Sequence, residues 1–296
     1  MTREVTEAHY LHERSGLEAV LRPPVDDPTA LAWIPKREEL LVGTRAGEVH
    51  SVDPVLGTRI VASGIGEPAS ISVHPDRERI LMVCRNGNWI IQSMRSGLIA
   101  SGDHQMMANI DCFWLGEIAL ISGDEVDSRR LLAIRGDKVL SKVRLPEKVV
   151  CFPHPNGRPM LARSTPRGLQ VIPFGKGSSF PKAETTGHRL RVSGNRVMGM
   201  TKTGVAIWDH EGGQPQSMSI PEVTAAAMSE DGSLMGMETR TGAVALAEMN
   251  SPDKRARLDL VKAYEGAVTS AAFSSRGRWL ATAAERVQLW SWEQAS

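Results

Sequence analysis

Short apolar segments alternate with polar turns along the chain, and the pattern is clearest near the C-terminal end. Residues 271–290, AAFSSRGRWLATAAERVQLW, hold three runs of apolar and small residues separated by two polar turns. Alternation with a period of two, interrupted by short turns, is typical of β-strands joined as hairpins. No segment between the runs shows a sustained helical period. The pattern therefore predicts three antiparallel strands.

The same pattern recurs upstream. Clear copies are ALAWIPKREELLVGTRAGEVHSV from Ala30, SISVHPDRERILMVCRNGNWIIQ from Ser70 and AAAMSEDGSLMGMETRTGAVALA from Ala225, and weaker copies begin at 111, 150 and 190. One bulky apolar residue marks the first strand of each copy, at intervals of 36 to 45 residues: Trp33, Val73, Phe113, Phe152, Val192, Met228 and Phe273. A period near 40 residues is typical of β-propellers, in which each small sheet packs between its neighbours.

A fourth apolar segment follows the third strand in most copies, as in GTRIVAS, SGLIASG and DKVLSKVRLP. The last copy ends without one, and SGLEAVLRPP at residues 15–24 has the missing pattern. Pairing of this segment with the last copy would remove an open sheet edge. The sequence predicts an all-β fold, a seven-bladed β-propeller of four-stranded antiparallel blades, closed by an N-terminal strand. The sequence also predicts a single domain over residues 1–296, in which residues 1–24 form the closing segment and residues 25–296 form blades 1–7.

The stretch VTSAAFSSRGRWLATAAERVQLWSW, together with VAIWDHEGG around Trp208, resembles the WD-repeat propeller family over nearly the whole chain. The family pattern also has a Gly-His pair before the first strand and an acidic residue in the turn between the second and third strands. Here Gly187-His188 is the only such pair, and Tyr264 stands where another would be. The resemblance implies a non-catalytic platform that holds several proteins together.

Composition and charge narrow the class of partner. Hydrophobic residues make up 41% of the chain, and 35 basic residues against 34 acidic ones leave a formal charge of +1. This charge predicts no general attraction to nucleic acid or membrane surfaces. The polar N-terminus and the absence of an apolar run long enough to span a membrane predict a cytoplasmic protein. Three scattered cysteines, Cys84, Cys112 and Cys151, predict reduced thiols and not a disulfide framework.

No motif in the sequence indicates catalysis. The glycine-rich segments GIGEPAS and GKGSSF lack the spacing of phosphate-binding loops, and no Gly-x-Ser-x-Gly elbow is present. Neither a Cys-x-x-Cys pair nor a full set of metal ligands stands out. We expect no catalytic, cofactor-binding or metal-binding residues. A propeller enzyme remains an alternative, and it would need carboxylates or histidines clustered around the central channel.

Basic residues recur in the turn between the second and third strands of every copy. Because these turns lie on one face of a propeller, the sequence predicts a ring of positive charge formed by Arg45, Arg85, Arg129, Arg130, Arg163, Arg167, Lys202, Arg240 and Arg286. Acidic residues in the same turns reduce their charge to about +4. Such a ring suits an acidic protein surface, because guanidinium groups bind carboxylates through paired hydrogen bonds.

Two other interpretations of these turns stay open. Polar turns are rich in charged residues in any soluble protein, and the first alternative is that the basic residues only keep these turns solvated. Alternatively, the ring binds nucleic acid or another polyanion, with Trp89 stacking on bases. The neutral overall charge and the low aromatic content of 5% favour a protein partner over nucleic acid. The predicted function is a docking subunit of a multiprotein complex, with the basic turns and Trp89 as the contact surface.

Overall fold

The computed structural model describes residues 17–126, 128–145, 149–153, 158–166, 168–174, 189–193, 196–200, 204–208, 216–220, 222–229, 231–249, 258–265, 267–275 and 277–292. These residues form 27 β-strands, β1 to β27 in chain order, which are arranged in seven antiparallel sheets. Each sheet is one blade, and its strands follow one another in sequence order except in the last blade. The predicted all-β, seven-bladed propeller is therefore confirmed.

Blades 1 to 3 each contain four strands. Blade 1 is formed by β2 (Pro28–Trp33), β3 (Leu40–Thr44), β4 (Val49–Asp53) and β5 (Gly57–Ala62). Blade 2 is formed by β6 (Pro68–Val73), β7 (Arg79–Cys84), β8 (Asn88–Ser93) and β9 (Gly97–Asp103). Blade 3 is formed by β10 (Ala108–Leu115), β11 (Ile118–Asp124), β12 (Arg129–Arg135) and β13 (Lys138–Leu145).

Blades 4 to 7 complete the ring. The described part of blade 4 is β14 (Val149–Pro153), β15 (Pro159–Thr165) and β16 (Gly168–Pro173). Blade 5 is formed by β17 (Arg189–Ser193), β18 (Arg196–Met200), β19 (Val205–Trp208) and β20 (Gln216–Met218). Blade 6 is formed by β21 (Val223–Met228), β22 (Leu234–Thr239), β23 (Ala243–Glu248) and β24 (Leu258–Lys262). Blade 7 combines β25 (Ser270–Phe273), β26 (Leu280–Ala283), β27 (Val287–Trp292) and β1 (Leu17–Leu21).

The first strands of successive blades lie beside one another and form the inner wall of the ring. Contacts join β2 to β6, β6 to β10, β10 to β14 and β14 to β17, and the circle continues from β18 to β21, from β21 to β25 and from β25 back to β2. All seven residues that mark the sequence copies, from Trp33 to Phe273, lie in these first strands. The repeat in the sequence is therefore the repeat of blades.

The last blade is assembled from both ends of the described chain. Strand β1 pairs antiparallel with β27, with Leu17 opposite Trp292 and Ala19 opposite Trp290. It lies within the segment 15–24 that the sequence predicts as the closing strand. Without β1, the backbone groups of β27 would form an open sheet edge.

The second strands of the blades are deeply buried. Strand β3 is buried along its whole length, and β22 is buried throughout as well. Both faces of such a strand are covered by neighbouring blades, so most of its residues are apolar or small. Blades approach most closely where a glycine lies in the second strand: a Cβ atom on Gly43 would lie 2.9 Å from the Pro68 side chain of the next blade.

A buried hydrogen-bond network joins the strands of blade 7 to the loop before it. The Tyr264 hydroxyl lies 2.7 Å from Thr282 Oγ1, and the indole Nε1 of Trp290 donates to the same oxygen at 2.9 Å. Burial raises the pKa of Tyr264, so its hydroxyl keeps the proton that this network uses. Tyr264 thus supplies a hydrogen bond at the position where the sequence lacks a Gly-His pair.

The same part of the ring contains a buried carboxyl group, Glu238 in β22. Its side chain is inaccessible to solvent, and neither carboxyl oxygen has a hydrogen-bond partner among the described residues. Burial raises the pKa of Glu238 well above its usual value, and the group lies close enough to Tyr264 to influence the pKa of that hydroxyl. A buried polar group without a partner lowers stability, because the hydrogen bonds that it makes to water in the unfolded state are not replaced in the folded state.

Replacing Glu238 with methionine is expected to increase the free energy of unfolding by about 1–3 kcal/mol at about pH 7. The folded state holds the carboxyl proton, whereas the unfolded state releases it above a pKa of 4.5. The free energy of unfolding of the wild type therefore falls as the pH rises above that value. The stabilisation by Glu238→Met should accordingly be smaller at about pH 4 than at about pH 7. Urea unfolding of Glu238→Met at both pH values measures this. The exposed carboxyl in Glu285→Met is the control, and an equal or larger gain there would contradict the prediction.

Candidate docking face

The turns between the second and third strands lie on one face of the ring, which we call the turn face. In blades 1, 2 and 6 the turn also contacts the loop that leads into the first strand of the same blade. The backbone N–H of Arg45 donates to the carbonyl of Asp27 at 2.9 Å, and that of Arg85 donates to the carbonyl of Glu67 at 2.9 Å. Equivalent backbone contacts in successive blades give their basic residues equivalent positions.

Blade 6 repeats this arrangement. The backbone N–H of Arg240 donates to the carbonyl of Glu222 at 3.0 Å. Glu222 has a φ of 58° and its counterpart Asp27 has a φ of 47°, a left-handed conformation that is uncommon for residues with side chains. The hydrogen bond from the arginine N–H stabilises this backbone conformation, because it gives the carbonyl of Asp27 or Glu222 a partner. An acidic residue thus accompanies the arginine in blades 1, 2 and 6, and the sequence analysis did not anticipate these acids.

Three of the predicted contact residues are exposed on the turn face: Arg45, Arg85 and Arg240. The guanidinium Nε of Arg85 lies 2.7 Å from the carboxylate of Glu67, and the Arg85 side chain is more than half exposed. An exposed ion pair of this kind contributes little to stability and exchanges readily for another partner. These three side chains are therefore available to bind a carboxylate from outside.

Arg130 and Arg286 are partly buried at the same face. The Nε of Arg130 lies 2.6 Å from Glu125, and its Nη1 donates to the Gln105 side chain at 3.2 Å. Arg286 pairs through its backbone with Asp26, and its Nε has no hydrogen-bond partner within the described part of the chain. Both arginines contribute positive charge near the face, but less of each side chain reaches solvent.

Arg129 forms ion pairs and hydrogen bonds inside blade 3. It is buried, and its guanidinium lies 3.1 Å from Asp124 and 3.3 Å from Asp111. The same group also donates to the backbone carbonyl of Asn109 at 3.1 Å and to the Ser122 hydroxyl at 3.3 Å. These contacts tie β12 to β10 and β11, so Arg129 positions strands and offers no surface to a partner.

Arg163 and Trp89 are buried as well. Arg163 lies within β15 and its Nε donates to the Gln170 side chain at 2.9 Å. Trp89 is 1% exposed and its indole lies flat over the backbone of Gly102, where a Cβ atom would be only 2.6 Å from the ring. Neither side chain is positioned for contact with a partner. Arg167 and Lys202 lie outside the described residues.

The three cysteines lie in environments that keep their thiols protonated. Burial raises the pKa of Cys84 to about 11 and the pKa values of Cys112 and Cys151 to about 12. These thiols stay protonated near neutral pH and are poor nucleophiles. Among the described residues, no group of three or more His, Cys, Asp or Glu side chains is placed to hold a metal ion. In the same residues, no helix has the length and apolar character needed to cross a membrane.

A polar cluster on the opposite face has a structural explanation. The guanidinium of Arg79 bridges Asp76 at 2.6 Å and Glu117 at 2.7 Å, which joins the first turns of blades 2 and 3. His74 packs edge-on against Trp114 with ring centroids 4.7 Å apart. Burial alone would raise the pKa of Asp76, but backbone N–H groups and Arg79 outweigh burial and lower it. A carboxylate held ionised in this way is unsuited to donate a proton.

Comparison with known proteins bears on the fold. Neither a protein-family model nor a curated protein sequence matches the chain. Among solved structures, it is similar to the β-propeller domain of Cps50 (Swd1) from Myceliophteria thermophila, with a TM-score of 0.72 and 13% sequence identity. The match covers 94% of this chain and 100% of that chain. Identity this low carries the architecture and not the function, and the chain is therefore a β-propeller.

Proposed function

We propose that the chain is a single WD-repeat-type propeller domain that acts as a cytoplasmic, non-catalytic docking subunit of a multiprotein complex. Its partner presents an acidic surface or peptide to the turn face. The contact residues in this proposal are Arg45, Arg85 and Arg240, with Arg130 and Arg286 adding charge beside them. Arg129, Arg163 and Trp89 are left out because they are buried.

The observation that carries this proposal is the arc of arginines on consecutive blades. In ring order, Arg240, Arg286, Arg45 and Arg85 belong to blades 6, 7, 1 and 2, since blade 7 contacts blade 1. Consecutive blades place these turns side by side, so one extended partner segment can contact several of them. Clustered guanidinium groups favour carboxylates and speed their association.

Nucleic acid or another polyanion is the alternative ligand for the same arc. A single-stranded nucleic acid gains much of its affinity from bases that stack on aromatic rings. Burial of Trp89 removes the aromatic residue that the sequence offered for this purpose. The acids Asp27, Glu67 and Glu222 beside the arginines repel phosphates and carboxylates alike, so they do not distinguish the two ligands. The burial of Trp89 is the observation that favours an acidic protein partner.

Affinity purification with quantitative mass spectrometry tests the proposal. The bait is the full chain, compared with a variant that carries Arg45→Glu, Arg85→Glu and Arg240→Glu. We expect a stoichiometric acidic partner to bind the wild type and to bind the variant roughly tenfold to a hundredfold less well. Each charge reversal is expected to weaken the binding free energy by on the order of 1 kcal/mol, because water at the surface screens the interaction.

A charge-matched variant is the control. Arg37→Glu, Arg59→Glu and Arg95→Glu change the total charge equally but lie at the opposite face or the outer rim. Retention of the partner by the control variant and its loss from the turn-face variant would support the proposal. Equal retention by both variants would contradict it. Recovery of nucleic acid in place of protein, lost at high salt, would instead support the polyanion alternative.

A further inference from the structure

A cavity of about 560 Å³ lies at the seam between blades 1 and 7. It is on the opposite face of the ring from the turn face, because its residues lie at the other ends of the strands. The lining consists of Glu38, Asp53, Pro54, Val55, Arg278, Trp279 and Ser291. Its volume is within the range of about 300–1,000 Å³ that is usual for ligand-binding pockets.

The walls of this cavity are held in place by contacts between the two blades. The indole Nε1 of Trp33 in blade 1 donates to the carbonyl of Ala272 in blade 7 at 3.0 Å. The backbone N–H of Lys36 donates to the Ser275 hydroxyl at 3.0 Å. Trp279 packs against the apolar cluster that fills the same seam. A partner would therefore meet a cavity that is already formed, which lowers the entropic cost of binding.

Two apolar side chains stand at the edge of the cavity in full contact with solvent. Val55 is 89% exposed and Leu56 is 87% exposed. Their turn is fixed, because Asp53 Oδ1 accepts hydrogen bonds from the backbone N–H groups of Val55 and Leu56 at 2.8 and 3.0 Å. Adjacent exposed apolar residues beside a pocket mark surfaces that bind other molecules. Val55 itself lines the cavity, so the pocket and the exposed patch are continuous.

The charges on the lining indicate the chemistry of the ligand. The lining contains two carboxylates, Glu38 and Asp53, and one guanidinium, Arg278. The Oε2 atom of Glu38 has no hydrogen-bond partner among the described residues, although it is shielded from solvent. A cationic side chain that enters the cavity can pair with the carboxylate of Glu38, which is part of the lining. Trp279 adds an aromatic surface to which both apolar groups and cations bind.

We propose that this cavity binds an extended segment of a partner protein in which a bulky apolar residue is followed or preceded by arginine or lysine. The apolar side chain fills the space between Trp279 and Val55, and the basic side chain pairs with Glu38. This surface is separate from the turn face and prefers the opposite charge. It goes beyond the proposed function, because it gives the ring a second docking site.

Selection of random short peptides displayed on phage, with the full wild-type chain as target, tests this inference. We expect enriched peptides to combine an aromatic or aliphatic residue with a neighbouring arginine or lysine. Affinities of the synthesised peptides are then measured by titration calorimetry. Val55→Ser should weaken binding about tenfold, because it removes apolar surface from the contact. Leu98→Ser, which removes an exposed apolar residue from the rim of blade 2, should leave the affinity unchanged.

The role of Glu38 is tested by a double-mutant cycle. Glu38→Gln and replacement of the peptide's basic residue by glutamine should each weaken binding, and the two changes together should be no worse than either alone. Enriched peptides that bind Val55→Ser as tightly as wild type, peptides of acidic composition or no enrichment would each overturn the inference. The turn-face variant should bind these peptides normally, so the outcome is independent of the proposed function.

Discussion

Removal of residues 1–21 is expected to abolish the stable fold of the ring. The deletion takes away β1, whose pairing with β27 completes blade 7 and closes the circle. The loss should be comparable with the whole margin of about 5–15 kcal/mol that separates folded from unfolded states of a domain. Urea unfolding followed by tryptophan fluorescence, together with size-exclusion chromatography, measures the effect. We expect aggregation through the uncovered edge of β27.

A shorter deletion and a peptide provide the controls. Removal of residues 1–14 leaves β1 in place and should preserve cooperative unfolding. A synthetic peptide of residues 15–24, added in trans to the longer deletion, should restore part of the lost stability, because it can pair with β27. Equal stability of the two deletions would show that β1 does not hold the ring closed.

Replacing Arg129 with methionine is expected to lower the free energy of unfolding by about 2–3 kcal/mol. The guanidinium is buried and contacts both Asp111 and Asp124. Removing it leaves two carboxylates, each about one-third exposed, without their counter-charge, and it breaks the hydrogen bonds to the Asn109 carbonyl and the Ser122 hydroxyl. Together these losses exceed what methionine gains by packing. Chemical denaturation of the purified chain measures the change.

An exposed ion pair provides the comparison for this prediction. Arg95 lies 3.1 Å from Glu78, with both side chains largely in solvent. Arg95→Met should change the free energy of unfolding by no more than about 1 kcal/mol. If Arg129→Met lowers stability no more than Arg95→Met does, the four contacts of Arg129 do not support blade 3 as described.

The blade architecture could be predicted because it depends on a local pattern that repeats. Each first strand contains a bulky apolar residue at nearly constant spacing, and the structure places all seven in inner strands. The closing strand was predictable for a different reason: the last copy lacked a fourth strand, and a sheet in a closed ring needs one.

The composition of the docking surface was only partly predictable, because burial depends on where a strand begins. Arg129 and Arg130 are indistinguishable as sequence neighbours, but β12 starts at Arg129 and directs that side chain into the blade. Trp89 follows a turn in the sequence, which made it a candidate for an exposed contact residue, although its apolar bulk also favoured burial. It lies in β8 opposite Gly102, and the missing side chain of that glycine leaves room for the indole ring. Such cross-strand partners are set by register, which the sequence alone did not reveal.

The cavity between blades 1 and 7 could not be predicted from the sequence, for a related reason. Its lining combines residues 38 and 53–55 with residues 278, 279 and 291, which only the closure of the ring brings together. The acids Asp27, Glu67 and Glu222 carried a usable signal, since each stands immediately before a first strand. Their position predicts contact with the neighbouring basic turn once the blades are recognised.

The pairing of β1 with β27 also determines when the molecule can finish folding during its synthesis. On the ribosome, β1 is made before every other described strand and β27 after all of them. Contacts between residues so far apart in the chain form slowly, because a long loop must close first. Blades 1 to 6 can each form their hairpins as they emerge, whereas β1 must wait without its partner until translation has passed residue 292.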